Sequence, residues 1–172
     1  DYTVSQEKFE LYACDECSFT FTQNFPSEKF IDSYYESKDY ISHSNTRKGL
    51  VALFYHWVRS ITLKQKAKLI KREYPQKQGV LLDFGAGTGH FAHKMQKKQW
   101  EIEAFEKSKK ARTVARARLG IHLKEEKAIH LLAPNSIDVI TLWHVMEHLQ
   151  DINGFFKKFN ELLIEQGLLI LA

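Results

Sequence analysis

Between Leu81 and Gly89 the chain reads Leu-Leu-Asp-Phe-Gly-Ala-Gly-Thr-Gly, with three glycines at alternate positions directly after an apolar run. Glycines spaced this way at a strand end let the backbone turn sharply and approach a ligand closely. Asp83 sets a carboxylate beside that turn, and Glu106 sets a second one just after the next apolar run, Ile102 to Phe105. In a parallel sheet two such carboxyl ends lie side by side, where an acid suits a ribose diol by accepting both hydroxyls. A nicotinamide dehydrogenase also carries an acid there, but its turn needs Gly-x-Gly-x-x-Gly for the pyrophosphate. Here Gly85, Gly87 and Gly89 are evenly spaced, His90 follows, and Asp83 would repel a diphosphate. An anionic cofactor is disfavoured, and one with an amino-acid end and a sulfonium cation suits the acid better.

Two further constellations carry metal-ligand types. His144-Val145-Met146-Glu147-His148 spells H-x-x-E-H, which inverted-motif zinc peptidases also use. It directly follows a buried strand and leaves few residues for a distant third ligand, so the peptidase reading is set aside. Cys14-x-x-Cys17 is half of a zinc site; zinc takes four ligands, and His43 is the histidine near enough to add one.

These residues need a scaffold, and the texture of the 172-residue chain supplies one. Hydrophobic content of 44% and charged content of 27% are those of a soluble globular chain, one domain with a small appendage. The longest nearly apolar stretch, Gly49 to Val58, is about half the length a membrane span needs, and no secretory start precedes it. A net charge of +4 is too weak to imply nucleic acid, and two cysteines make a reducing cytoplasm the expected setting. Residues 1–26 read as a short hairpin-like piece. A helical pattern begins at Ser27 with Phe30, Ile31, Tyr34 and Tyr35, and a second helix starts after Ser44 with Leu50, Leu53, Phe54, Trp57, Val58 and Ile61 on one face. Thr62 and Gln65 form a capping-box signature that predicts a break, and Pro75 ends the next helix.

From Gly79 strands and helices alternate. Strands are expected at Val80–Phe84, Ile102–Phe105, Ile121–Leu123 (weak), Ile137–Leu142 and Leu168–Ala172. Helices are expected at Phe91–Gln99, Lys109–Leu119 with Gly120 as C-cap, and Gly154–Leu163. The fold predicted is α/β: a Rossmann-like, mostly parallel sheet with helices on both faces in three layers, plus an N-terminal helical lid. Its divisions are a cysteine-bearing extension over 1–26, a helical lid over 27–78 and a core over 79–172. The basic face of 107–118 (Lys107, Lys109, Lys110, Arg112, Arg116, Arg118) reads as a solvated helix surface, so nucleic acid is not an expected partner.

With these motifs in place, the region from about 79 to 172 resembles class I S-adenosylmethionine-dependent methyltransferases, nearest to the small-molecule branch that includes ubiquinone-biosynthesis-like enzymes. The resemblance rests on Leu81 to Gly89, on Glu106, on Ser136-Ile137-Asp138-Val139-Ile140, and on Trp143 to Leu149. It implies methyl transfer from S-adenosylmethionine to an O or N atom of a small-molecule acceptor. The backbone of Gly85, Ala86, Gly87 and Gly89 and the Asp83 side chain would hold the methionine part, Glu106 the ribose hydroxyls, and Lys107 and Ala128 would border the adenine. Lys127 stands where the family often has an acid or amide. Tyr40 or His43 would reach the cofactor carboxylate from the lid. Trp143 and His144 would face the cofactor and the transferred methyl, His144 either orienting the acceptor or removing its proton, or packing its imidazole against the cofactor. Relatives also carry a zinc-ribbon-like segment around such a cysteine pair, which makes zinc at Cys14 and Cys17 a further expectation. Two strands normally follow the fifth, so a fragment lacking them is expected. The rival readings are a nucleotide-cofactor oxidoreductase and a non-catalytic cofactor-binding domain.

Overall fold

A computed structural model of the chain describes residues 6–24, 26, 50–76 and 78–172. The expected helical pattern over 27–49, with Tyr40 and His43, lies outside the described residues. The chain divides into two compact units, Asp1–Ala52 and Leu53–Ala172. In the first, β1 (Glu10–Ala13) and β2 (Thr20–Gln23) form an antiparallel hairpin, as the sequence suggests. Its turn carries both cysteines: the Cys14 N–H donates to Phe19 O at 2.8 Å and the Ser18 N–H to Cys14 O at 2.8 Å.

The second unit is built on a parallel sheet of four strands: β3 (Val80–Phe84), β4 (Glu101–Phe105), β5 (Ile137–Leu142) and β6 (Leu163–Leu171), in the order β4-β3-β5-β6. The helices are α1 (Leu50–Glu73), α2 (His90–Gln96), α3 (Lys109–Leu119) and α4 (Ile152–Leu162). Alternation along β3 and β5 sorts the core into two sides. Leu81 and Val139 pack with Ala67, Ile70, Phe91 and Met95 from α1 and α2. Leu82, Phe84, Ile140 and Leu142 pack with Phe159 and Leu162 from α4. Ala115 of α3 meets Ala104 and Ala92 on the α2 side. Helices thus cover both faces, the arrangement in which a parallel sheet buries near-continuous apolar strands. From β3 the chain crosses to β4 on one side, and from β5 to β6 on the other. The carboxyl ends of β3 and β5 therefore flank a topological switch point, where ligands of open α/β sheets bind.

Three expectations change. The helix does not break at Thr62; α1 is continuous, and the Thr62 hydroxyl donates to carbonyls of its own helix, Arg59 O at 2.9 Å and Val58 O at 3.2 Å, instead of capping a new one. The third strand shrinks to a single bridge between Phe105 and Lys124. Gly120 caps α3 just upstream in the left-handed region and the 3-10 turn Glu126–Leu131 begins just downstream, leaving one residue in register. Finally, the apolar stripe of α1 is buried only over its second half, since Phe54 and Trp57 stay exposed while Ala67, Ile70 and Tyr74 are core. Five-residue strands span about 17 Å, which about eleven helical residues match, so a 24-residue helix overhangs the sheet. No helix among the described residues is long and apolar enough to cross a membrane.

The far end of α1 is fastened beneath the sheet. Asp138 Oδ1 accepts the Tyr74 hydroxyl at 2.7 Å, and Oδ2 accepts the Val80 N–H at 2.7 Å. Burial and the Asp138 charge push the Tyr74 hydroxyl up to about 12, so it stays a donor throughout the neutral range. Asp138→Ala orphans the Val80 N–H and leaves the Tyr74 hydroxyl only the longer bond to Gln76 Oε1 at 3.3 Å; it is expected to lower unfolding free energy by about 2 kcal/mol, against about 1 kcal/mol for Tyr74→Phe, in urea titrations.

Candidate functional site

The turn after β3 is shaped by backbone conformation that side chains rarely adopt. Gly85, Gly87 and Gly89 have φ of 72°, 55° and 76°, all in the left-handed region. Their surroundings differ. A Cβ on Gly85 would lie 2.3 Å from Val145 Cγ2, and one on Gly89 2.9 Å from Ile121 Cγ2. A Cβ on Gly87 would meet nothing within 4 Å. Two of the glycines are there for packing, and the middle one faces open space.

The turn is tied to the end of β4. The Ala86 N–H donates to Phe105 O at 2.8 Å, and the Gly87 N–H to Glu106 Oε2 at 2.7 Å. Glu106 Oε1 accepts the Ser108 N–H at 2.8 Å, while Arg112 Nη1 donates to the carbonyls of Glu106 and Lys107, both at 2.6 Å. Burial raises the Glu106 carboxyl above its usual range, opposed by the N–H groups of Ser108 and Gly87 and by Arg112. Each carboxylate oxygen accepts one backbone donor and retains capacity for another.

Asp83 is the next-to-last residue of β3, opposite Thr141 of β5, and is 1% exposed. The Thr141 hydroxyl donates to Asp83 Oδ1 at 3.0 Å, while Oδ2 is buried without a hydrogen-bond partner. Burial raises this carboxyl from 3.8 to about 7; Thr141 and the Lys66 ammonium pull it down, and the Glu106 charge adds a small push up. The folded state therefore holds a proton that the unfolded chain releases, and stability declines as pH rises from about 4 to about 7. A cation placed against Oδ2 would remove that penalty.

Trp143 follows β5 directly and is half-buried. Its ring packs edge-on against Phe91 with centroids 5.4 Å apart, the Lys66 ammonium sits 4.4 Å from its centroid, and its Nε1 is buried without a partner. His144 is placed differently from an imidazole packed in the crevice. Its side chain is 81% exposed, its φ is 57°, and Nδ1 lies 4.0 Å from Glu147 Oε1. Glu147 and His148 lie in a 3-10 turn, Met146–His148. Among the described residues no group of three or more His, Cys, Asp and Glu comes together as metal ligands would, those of H-x-x-E-H included. Zinc likewise finds no support at Cys14 and Cys17, which are free thiols. Backbone N–H groups of Cys17 and Glu16 hold the Cys14 thiol below its ordinary value.

The structure thus brings together Asp83, Gly85, Ala86, Gly87, Gly89, Glu106 and Trp143 around the ends of β3, β4 and β5. Lys107 is exposed beside Glu106, and Ala128 lies partly buried in the 3-10 turn, packed against the α4-side core. Sequence reasoning missed Lys66 and Thr141. Lys66 had a signal, because it interrupts the apolar stripe Leu63, Ala67, Ile70; Thr141 had none beyond being a polar residue in a buried strand.

This arrangement has relatives. A model of the methyltransferase domain matches residues 56–172. An uncharacterized methyltransferase of Bacillus mycoides is 30% identical over 98 residues, which are 55% of this chain and 46% of that protein. The chain spans about half the length of the curated relatives it matches. Among solved structures, an S-adenosylmethionine-bound amino pentose methyltransferase from Micromonospora echinaspora superposes with a TM-score of 0.57 at 20% identity, over 74% of this chain and 57% of that one. Phosphoethanolamine N-methyltransferase 2 of Haemonchus contortus, solved with phosphomonomethylethanolamine and S-adenosylhomocysteine, gives 0.55 at 24% identity, over 62% of this chain and 27% of that one. At these identities the likeness is one of fold, a Rossmann-like methyltransferase sheet.

The two kinds of glycine predict two kinds of variant. Gly85→Ala must displace Val145 as well as strain the backbone and is expected to cost more than about 2 kcal/mol in unfolding titrations. Gly87→Ala carries only the strain, about 1 kcal/mol, yet fills the open space and is expected to abolish the thermal shift given by S-adenosylhomocysteine.

Proposed function

Because the chain belongs to the methyltransferase domain family whose model matches residues 56–172, we propose that its crevice over the Gly85–Gly89 turn binds S-adenosylmethionine and that the protein transfers the methyl group to an O or N atom of a small-molecule acceptor. The observation that carries this reading is the pairing of the open space at Gly87 with two buried or half-buried carboxylates, Asp83 and Glu106, on its flanks. Asp83 Oδ2 lacks a donor and suits an ammonium group; Glu106 has the acceptor capacity a ribose diol needs.

When bound, S-adenosylmethionine supplies an electrophilic methyl carbon on a good leaving group, so positioning accounts for most of the barrier reduction. The chain's residues divide that work. Asp83 and the turn backbone hold the methionine end, Glu106 fixes the ribose, and Lys107 and Ala128 border the adenine. Trp143, wedged between Phe91 and Lys66, walls the crevice at the end of β5. His144, exposed at the same strand end, orients the acceptor or takes its proton, with Nδ1 turned toward Glu147. Tyr40 and a lid ahead of α1 belong to this proposal, as does 1–26 as a small extension; the part of the expected lid that α1 forms packs in the core through Ala67, Ile70 and Tyr74.

A nicotinamide enzyme is the weaker reading, since a diphosphate over this turn would face the Asp83 charge. Calorimetry separates them: S-adenosylhomocysteine is expected to bind, NADH not to bind under the same conditions, and Glu106→Ala to weaken S-adenosylhomocysteine by about tenfold to a hundredfold. Binding of NADH in preference would overturn the proposal. Methyl transfer from labelled cofactor across an acceptor panel, lost in the Glu106→Ala variant, tests catalysis; cofactor binding without turnover on any acceptor would mark a non-catalytic domain.

A further inference from the structure

Arg112 is placed against the electrostatics of its own helix. It is the fourth residue of α3, inside a first turn that already carries Lys109 and Lys110 and holds no acid. A cation there opposes the helix dipole. Arg112 is nevertheless half-buried, because its guanidinium folds back over the start of α3 to the end of β4. One nitrogen, Nη1, gathers two consecutive carbonyls, Glu106 O and Lys107 O, each at 2.6 Å, so the chain curls around the guanidinium as it leaves the strand. The next residue is held as well: the Ser108 N–H donates to Glu106 Oε1 at 2.8 Å, and the Ser108 hydroxyl accepts the Ala111 N–H at 3.3 Å. A side chain unfavourable to its helix is thus used to fix the backbone that presents Glu106.

We propose that Arg112 is the positioning residue of the ribose subsite, holding Glu106 in the orientation from which its carboxylate accepts the ribose hydroxyls. The inference rests on the cofactor reading above and deepens it, because strand-end acid and glycine turn alone leave the backbone between β4 and α3 unsecured. Arg112 acts on Glu106 in a second way, through charge. Burial raises the Glu106 carboxyl, and the Ser108 and Gly87 N–H groups and the Arg112 guanidinium oppose that rise. The Asp83 carboxyl of β3 is the acid that faces Glu106, and the two repel when both are ionised. Without Arg112 the Glu106 carboxyl moves further up and is protonated over more of the acid range, where it accepts fewer hydroxyls.

The test compares S-adenosylhomocysteine with its analogue lacking both ribose hydroxyls, by calorimetry between about pH 5 and about pH 8. Asp83 titrates near 7 and acts on both ligands alike, so the ratio of the two affinities isolates Glu106. The wild-type chain is expected to prefer S-adenosylhomocysteine by about tenfold or more at the alkaline end, the range of a charge-assisted hydrogen bond. Arg112→Ala is expected to cut that preference to about threefold or less, to make it fade at a higher pH than in the wild type, and to leave the analogue's affinity within about twofold. Arg112→Lys keeps the charge without the paired donation and is expected to restore the pH profile and part of the preference. Should Arg112→Ala fail to fold, Arg112→Gln carries the same measurement. Equal weakening of both ligands by the Arg112 variants, or an unchanged preference, would overturn the role given to Arg112. Binding of neither ligand by the wild type would instead overturn the cofactor reading, and equal binding of both would remove Glu106 from the ribose and Arg112 with it.

Discussion

The Asp83 carboxylate is useful only when ionised, and the fold places it where ionisation is unfavourable. Its single hydrogen bond comes from Thr141, the nearby cation is Lys66, and its second oxygen is left without a donor. A buried acid with half of its hydrogen-bonding capacity unused destabilises the free protein above neutral pH. Such a group is retained at a functional site rather than for packing, because an apolar residue in the same strand position would cost nothing. The missing term in its balance is a cation, which in the proposed function the methionine-derived ammonium would supply.

Everything near Asp83 holds the space that this cation and its attached nucleoside would occupy. The left-handed glycines bend the chain away from β3, and Val145 and Ile121 pack where two of them lack side chains. The Gly87 N–H and the Glu106 carboxylate lock the turn to the end of β4, and Arg112 fixes the backbone just beyond. On the other flank α1 crosses the sheet, anchored below by Tyr74 and Asp138, and so carries Lys66 to the carboxyl ends of the strands. The site is thus a property of strand ends, one turn and one overhanging helix.

Local signals in the sequence were enough to read the turn, Glu106 and most of the sheet. Glycine spacing after an apolar run is a backbone constraint that a few adjacent residues express, and α3 announces itself through its amphipathic pattern and Gly120 at its end. What was not legible depends on distant partners. Thr62 looks like a cap, but its hydroxyl turns back onto its own helix once α1 packs as one piece on the sheet. Ile121 to Leu123 alternates like a strand, yet the cap before it and the turn after it leave a single bridge. Lys66 and Asp83 are 17 positions apart, and only the crossing of α1 over β3 and β5 brings them near.

The carboxyl titration of Asp83, followed by carbon-13 NMR with and without saturating S-adenosylhomocysteine, tests the account most directly. In the free chain the group should titrate near 7, the value its burial imposes. With ligand present its midpoint should fall by about two pH units or more, as an ammonium against Oδ2 favours the ionised form. An Asp83 midpoint that does not move when the ligand is bound would contradict the account.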